Sequence, residues 1–200
     1  WDNESADWSR FDAALIGTTW DYWDRPDEFL KTLESIEQQT ILHNPASLVR
    51  WNSHKSYLKE LADRGANLIP TLWIDEMTDA RYLQAFDTLQ SEKLVFKRQV
   101  GAGAAGQHLL SRDDVRPDMP HAMMVQPFVS TIQTEGEYSF IFVEGTLSHA
   151  LIKRAKKGDY RIQSSYGGQE EAITPAASDL QAARDVLTTL DDVPLYARVD

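Results

Sequence analysis

At 200 residues, with 42% hydrophobic and 26% charged content, the chain has the make-up of one large globular domain or two small ones. It contains no cysteine, which excludes a disulfide framework and a thiolate metal site and suits a reducing, cytoplasmic setting. The net charge of −11, from 20 Lys+Arg against 31 Asp+Glu, argues against a broad nucleic-acid-binding face. No apolar run approaches the roughly 20 residues of a membrane helix, and the opening WDNESADWSR has no signal-like core.

Residues 11–17 read as a short buried strand bounded by turn residues. The aromatic loop Thr18-Thr19-Trp20-Asp21-Tyr22-Trp23 follows, and Pro26 then starts a helix with Phe29, Leu30, Leu33 and Ile36 at helical spacing. Leu42-His43-Asn44-Pro45 breaks that pattern. One strand and one helix are too little for a domain, so residues 1–45 are expected to be the remnant of an α/β unit. A second helix is expected over 53–64, with Tyr57, Leu58 and Leu61 on one face and Gly65 as its stop. Residues 67–74 are strand-like, and Pro70 places them at an edge or a bulge. A helix over 79–90 would turn Leu83, Phe86 and Leu89 to a core.

Then comes LVFKRQVGAGAAGQ, residues 94–107, an apolar run with Lys97 and Arg98 leading into a loop with Gly101, Gly103 and Gly106. Glycine lets backbone N–H groups approach a ligand closely, and the cations suit that ligand to phosphate. Gly101-x-Gly103-x-x-Gly106 matches the dinucleotide pattern letter for letter. That pattern needs a helix next, however, and an acid about twenty residues on, where Gln126 stands. A Walker loop also fails, because Gln107 replaces the expected Lys-Ser/Thr. A strand–loop–strand flap remains, with a flexible hairpin turn as the bland alternative.

Beyond Pro117 and Pro120 the character changes to sheet. Residues 122–128 form a short apolar run ending at a proline. Residues 137–143 and 146–154 flank Glu144-Gly145, a strong hairpin signal. A short strand is expected over 160–163, an amphipathic helix over 175–190 on Leu180, Ala183, Leu187 and Leu190, and a last strand over 195–200. The three blocks are 1–45, 46–125 and 126–200, with no true linker.

Four separated features would suit one nucleotide site. Lys55 sits on the 53–64 helix, and Lys97 lies on the strand before the Gly loop. Gln126-Pro127-Phe128-Val129 ends a strand at a kink, leaving backbone groups free for a flat heteroaromatic ring. Glu137 begins the next strand, placed to accept from sugar hydroxyls. Each has a plain alternative, since an exposed helical lysine is more often solvated than functional. The cations of Lys97-Arg98, Lys153-Arg154, Lys156-Lys157 and Arg161 mark either a local anion site or solvated edge strands. The five histidines show no pair at zinc spacing, and no G-x-S-x-G elbow appears. His149 on a strand suits a structural role or a substrate contact. Trp20, Tyr22 and Trp23 suit either a substrate pocket or packing between lobes.

The order of these residues resembles the ATP-grasp superfamily, in the branch of glutathione-synthetase-like ligases that includes the cycloserine-forming O-ureidoserine cyclo-ligase. The likeness runs through Thr19-Trp20-Asp21-Tyr22, Arg50-Trp51-Asn52-x-x-Lys55, the Lys97 strand with its Gly loop, and Gln126-Pro127-Phe128. It continues through Glu135-Gly136-Glu137-x-Ser139, Ser148-His149-Ala150, Gly158-Asp159-Tyr160-Arg161-x-Gln163, Gly167-Gly168 and Tyr196-Ala197-Arg198-Val199-Asp200.

The resemblance implies an α+β ATP-grasp fold, two lobes clasping ATP, preceded by the α/β remnant. It implies that Lys55 and Lys97 reach the phosphates under the flap of Gly101, Gly103 and Gly106. Gln126, Pro127, Phe128 and Val129 would hold adenine, and Glu137 the ribose. Lys153 and Arg161 would be catalytic cations near the γ-phosphate or an acyl phosphate, and Asp200 the first Mg²⁺ ligand. Phosphoryl transfer to a carboxylate accumulates negative charge, which such cations and Mg²⁺ stabilise. The implied activity is ATP-dependent ligation of small-molecule carboxylate and amine substrates, without nucleic-acid or membrane partners and with room for a homo-oligomer. The family places a Glu-x-Asn metal motif after the strand that here ends in Asp200, so the chain is expected to be partial at both ends. That departure, with Ala155 where relatives tend to carry proline, motivates one alternative, a non-catalytic ATP-binding or scaffold module. A third possibility is a phosphotransferase that only phosphorylates.

Overall fold

The apolar residues of the first helix fall three and four apart, and all four are buried: Phe29, Leu30, Leu33 and Ile36 of α1 (Pro26–Glu37). The computed structural model describes residues 1–3 and 5–200. β1 (Ala13–Leu15) precedes α1, and β2 (Ile41–His43) follows it and pairs with β1 in parallel. This corrects the sequence reading in one respect. The stretch around Leu42 continues the unit as a strand, so β1–α1–β2 is a complete parallel crossover. Phe29, Leu33, Ile36, Leu42 and Ala46 form its core, packed by Trp8 and Tyr22 from outside the three elements.

The helix expected over 53–64 is two helices. α2 (Ala46–Ser53) stops at His54, whose backbone is extended at φ −106°, and α3 (Tyr57–Asp63) begins after Ser56. The His54 ring bonds the Ser56 hydroxyl at 2.7 Å and accepts its N–H at 3.3 Å, a local bond that competes with helix continuation. Gly65 closes α3 at φ +97°.

A four-stranded antiparallel sheet follows, in the order β3 (Leu72–Ile74), β6 (Met123–Pro127), β4 (Lys93–Arg98), β5 (His108–Ser111). β3 is an edge strand, as Pro70 implied, though it is shorter than expected. α4 (Asp79–Leu89) covers one face, capped by Thr78, whose hydroxyl accepts from the Arg81 N–H. Its buried residues are Tyr82, Ala85 and Phe86; Leu83, expected inward, is 43% exposed. Tyr82, Ala85 and Phe86 keep the i, i+3, i+4 spacing that one helix face requires, which leaves Leu83 beside it.

The second four-stranded antiparallel sheet runs β10 (Tyr196–Val199), β7 (Glu137–Val143), β8 (Thr146–Arg154), β9 (Gln169–Ile173). A single turn of helix, α5 (Thr131–Thr134), leads into β7, and α6 (Ala177–Thr188) packs Ala183 against Phe140, Phe142 and Ala150. The Glu144-Gly145 hairpin is present, with both residues at positive φ (47° and 72°) as a type I′ turn demands. Residues 160–163, expected as a strand, form a loop. The strand is β9, an exposed edge that pairs only with β8 and carries the Arg154–Glu171 ion pair (2.6 Å), with no apolar alternation to announce it.

Phe96 is fully buried and stacks on Tyr82 at 5.4 Å between ring centres. Phe96→Ala is expected to cost about 3–5 kcal/mol of folding stability, measured by urea denaturation.

Candidate functional site

Strand alternation sorts β4 and β6 into two faces. Leu94 and Phe96, with Met123 and Val125, face the core under α4. Val95, Lys97, Met124 and Gln126 therefore share the opposite face. The register sets Lys97 against Met124 and Val95 against Gln126, so Lys97 and Gln126 are diagonal neighbours. Lys97 Nζ donates to Gln126 Oε1 at 3.1 Å, and Gln126 Nε2 donates to the Thr71 hydroxyl at 2.9 Å. Burial pushes the Lys97 ammonium below its usual pKa, and the carboxylate of Glu137 opposes that shift.

Lys55 reaches the same place from the break between α2 and α3. Its N–H donates to the Gln99 carbonyl at 2.8 Å and its Nζ to the Gly101 carbonyl at 2.6 Å. Backbone and side chain are thus both tied to the chain leaving β4. Burial, reinforced by the charge of Lys97, lowers Lys55 to about 8. Two of the loop's glycines, Gly101 and Gly106, pack against Arg98, while the Gly101 carbonyl meets Lys55. A Cβ on Gly106 would lie 2.5 Å from Arg98 Nε, and one on Gly101 would lie 3.2 Å from Arg98 Cβ. The Arg98 guanidinium itself stands 5.3 Å from the centre of the Trp23 ring.

The second sheet is sorted in the same way. Phe140, Phe142, Ala197 and Val199 belong to the core beneath α6, so Glu137, Ser139, Arg198 and Asp200 fall on the other face. Lys153 pairs directly with Glu137 across β7–β8. Its ammonium lies 3.5 Å from both the Glu137 and the Asp200 carboxylates. Ser139 donates its hydroxyl to Asp200, and Arg198 Nε bonds the other Asp200 oxygen at 2.9 Å. Burial pushes the Glu137 carboxyl up, Asp200 adds to that, and Lys153 counters it. Lys97 on the first sheet lies near enough to Glu137 on the second for that carboxylate to act on its charge.

The structure therefore brings Lys55, Lys97 and Gln126 together, and separately Glu137, Lys153 and Asp200. Arg161 joins neither group. Its guanidinium grips Asp159 at 2.7 Å, holding that carboxyl well below the usual range, and stacks 3.8 Å above the Tyr166 ring. Its loop touches the expected adenine segment through Tyr160, edge-on to Phe128 at 5.9 Å. The kink at Gln126–Val129 leaves fewer free groups than expected. Gln126 is 7% exposed and turned into the sheet, and the Phe128 N–H donates to the Lys93 carbonyl at 2.9 Å. Lys55, expected on a helix, lies between two. His149 pairs opposite Ile141 on exposed strand and bonds Ser148 at 3.1 Å. Ser139 and Arg198, which lie in stretches that carry the resemblance but were given no role there, bond Asp200, and their alternation with core residues is the signal that marks them. Thr71 and Gln99, which no motif marks, bond Gln126 and Lys55. Among the described residues, no three His, Asp or Glu gather into a group able to hold a metal ion, and no helix is long and apolar enough to cross a membrane.

A family model described as the N-terminal domain of the D-cycloserine synthetase DcsG matches residues 1–44. The crystal structure of that synthetase superposes with a TM-score of 0.82 at 24% identity, covering 100% of this chain and 73% of the other. D-alanine–D-alanine ligase from Bacillus anthracis gives 0.65 at 18% identity, over 95% and 64%. The ATP-grasp ligase PsnB, solved with Mg and ADP, gives 0.56 at 16%, over 86% and 53%. The chain has the ATP-grasp fold. Its sequence is 30% identical over 167 residues to the cycloserine biosynthesis protein DcsG of Streptomyces lavendulae, over 78% of this chain and 56% of that protein. It is 28% identical over 168 residues to the glutathione synthetase of Prochlorococcus marinus (strain MIT 9313), over 78% and 51%. The chain spans about half the length of these curated relatives.

The unfolded chain protonates Lys55 near the ordinary lysine value, about 10.4, whereas the folded chain does so at about 8. Between those values the unfolded state binds more protons, so the Lys55 contribution makes stability rise with pH. The stability of Lys55→Met minus that of wild type is expected to be highest below pH about 8 and to fall toward pH about 10, measured by urea denaturation across that range.

Proposed function

We propose that the protein acts in ATP-dependent carboxylate–amine ligation. The observation that carries this reading is the pairing of two half-buried lysines, Lys55 and Lys97, on one lobe with the Glu137–Lys153–Asp200 cluster on the facing lobe. Two desolvated ammonium groups a short distance apart are costly unless a polyanion completes them. An acidic cluster bridged by a lysine suits the sugar and metal end of the same ligand.

In this reading the division into blocks 1–45, 46–125 and 126–200 separates a substrate unit from two nucleotide-binding lobes. Lys55 and Lys97 hold phosphate oxygens beneath the loop of Gly101, Gly103 and Gly106. The segment from Gln126 to Val129 borders the base, with Phe128 braced by Tyr160. Glu137 accepts from ribose hydroxyls. The chemistry that ATP supplies is a γ-phosphoryl group for a substrate carboxylate, after which an amine displaces phosphate to form the amide.

The donor set fits Mg²⁺. That ion takes one or two protein carboxylates and completes its shell with phosphates and water, and Asp200 offers one carboxylate beside Glu137. Bound there, Mg²⁺ would neutralise charge on the phosphates. Lys153, already 3.5 Å from both carboxylates, holds positive charge at the same end. Arg161, steadied by Asp159 and Tyr166, brings a further cation on the loop that touches Phe128. The substrates are a small-molecule carboxylate and an amine. Their binding falls to the β1–α1–β2 unit with Tyr22 and to the exposed His149. A cytoplasmic protein able to form homo-oligomers fits this role.

Isothermal titration with ATP and Mg²⁺ is expected to show one binding site. Loss of a buried charge-assisted contact in Lys97→Ala should weaken it by about 10- to 100-fold. ADP release should then depend on both a carboxylate and an amine when amino and hydroxy acids are offered as a panel. Absence of ATP binding, with Lys97→Ala indistinguishable from wild type, would remove the proposal. ADP release that ignores the amine would reduce it to phosphotransfer.

A further inference from the structure

Asn44 lies outside both groups of site residues. It follows β2 directly, at the carboxyl end of the parallel pair, and Pro45 after it caps α2. Its side-chain amide nevertheless bonds both backbone groups of Tyr196, at the start of β10. Nδ2 donates to the Tyr196 carbonyl at 2.8 Å, and Oδ1 accepts the Tyr196 N–H at 3.4 Å.

β10 is an edge strand, paired on one side with β7. The Leu195 carbonyl turns inward to accept from the Glu144 N–H at 2.9 Å. Alternation then turns the Tyr196 backbone groups to the open edge, and Asn44 closes that edge as a one-residue substitute for a neighbouring strand. Side chains two and four residues beyond Tyr196 fall on the same face of β10: Arg198 and Asp200. Asp200 lies 3.5 Å from the Lys153 ammonium, and Arg198 holds the other Asp200 oxygen. An error in the placement of β10 at Tyr196 is carried straight to them, because a strand transmits displacement along its length.

The geometry points to Asn44 as a positioning residue that locks β10 to the β1–α1–β2 unit and thereby sets Arg198 and Asp200 opposite Lys153. This rests on the nucleotide-binding reading above. It also means that the unit assigned to substrate is mechanically joined to the end of the cleft assigned to Mg²⁺. Three properties of Asn44 suit it to this role. Its side chain is short, its two bonds are directional, and Pro45 restricts its own backbone. A second tether supplies a comparison. Arg64, at the end of α3, donates to the Thr189 carbonyl at 2.7 Å and to Asp191 at 2.9 and 3.1 Å. It holds the segment between α6 and β10 without touching the strand.

The test combines amide deuterium exchange with calorimetric binding of AMPPNP, with and without Mg²⁺, on wild type, Asn44→Ala and Arg64→Ala. Asn44→Ala is expected to raise deuterium uptake across residues 195–200 and to weaken Mg²⁺-dependent AMPPNP binding about tenfold, the loss anticipated for two directional hydrogen bonds. Metal-free binding should be unaltered, and Arg64→Ala should raise uptake only across 189–193. Should the alanine variant fail to fold, Asn44→Asp, which keeps the acceptor and loses the donor, is expected to give the same ordering. Unchanged uptake across 195–200 overturns the proposal. Raised uptake with unaltered Mg²⁺-dependent binding overturns it too, leaving Asn44 a purely structural contact. If wild type binds AMPPNP in neither condition, the nucleotide reading is what fails, and the uptake measurement still decides whether Asn44 holds β10.

Discussion

Side chains alternate across a strand, and in this chain that alternation ties the core to the site. Leu94 and Phe96 cannot bury themselves under α4 without turning Val95 and Lys97 the other way. Phe140 and Phe142 cannot pack on α6 without presenting Glu137 and Ser139. The hydrophobic effect acts on one face of each sheet, yet it decides which polar groups confront one another on the other. A one-residue slip in either ladder would exchange core for site, so the register is held by every buried apolar residue at once.

Two lysines are held in this way against their own preference for water. Lys97 and Lys55 are both largely shielded, and burial lowers both pKa values. Their partners are mostly neutral: Gln126 Oε1 for one, the Gly101 carbonyl for the other. Neutral acceptors compensate an ammonium only partly. The contrast with the surface is informative. Arg25 with Asp2, Arg112 with Asp87 and Arg116 with Asp79 are exposed pairs that match each cation to a carboxylate, and such pairs contribute little to stability. In a chain of net charge −11, acids were available for these lysines as well. They are instead held on the second sheet, around Lys153.

Elements whose local signal agrees with their environment are legible. The α1 face, the Glu144-Gly145 hairpin and the β4–loop–β5 flap follow from spacing and turn chemistry alone. β9 is not legible, because QEEAI carries no alternation: it is held by the backbone ladder to β8 and by Arg154, neither of which leaves a mark on hydropathy. The break at His54 is hidden for a related reason. A helical apolar pattern continues through it, while a side-chain bond to Ser56 and the tie of Lys55 to Gln99 interrupt the backbone. Residues 160–163 mislead in the opposite sense. Tyr160 and Ile162 look like strand, but Asp159 wraps the local N–H groups of Tyr160 and Arg161 into a turn.

Taken alone, the amino-acid sequence determined the residue types of the site, their order and the strands that bear most of them. It did so because core periodicity and turn residues are local properties. Which of those residues meet was decided only by the tertiary structure. Lys55 reaches Gly101 across 46 positions, Ser139 reaches Asp200 across 61, and Asn44 reaches Tyr196 across 152. No periodicity spans such distances; sheet register and the packing of α4 and α6 set them. Arg161 shows the converse. Its identity is plain in the sequence, but its bond to Asp159 two positions away is seen only in the folded chain. The Gly loop joins two paired strands, as its flanking residues imply. That Gly101 and Gly106 lie against Arg98 followed only from the packed chain.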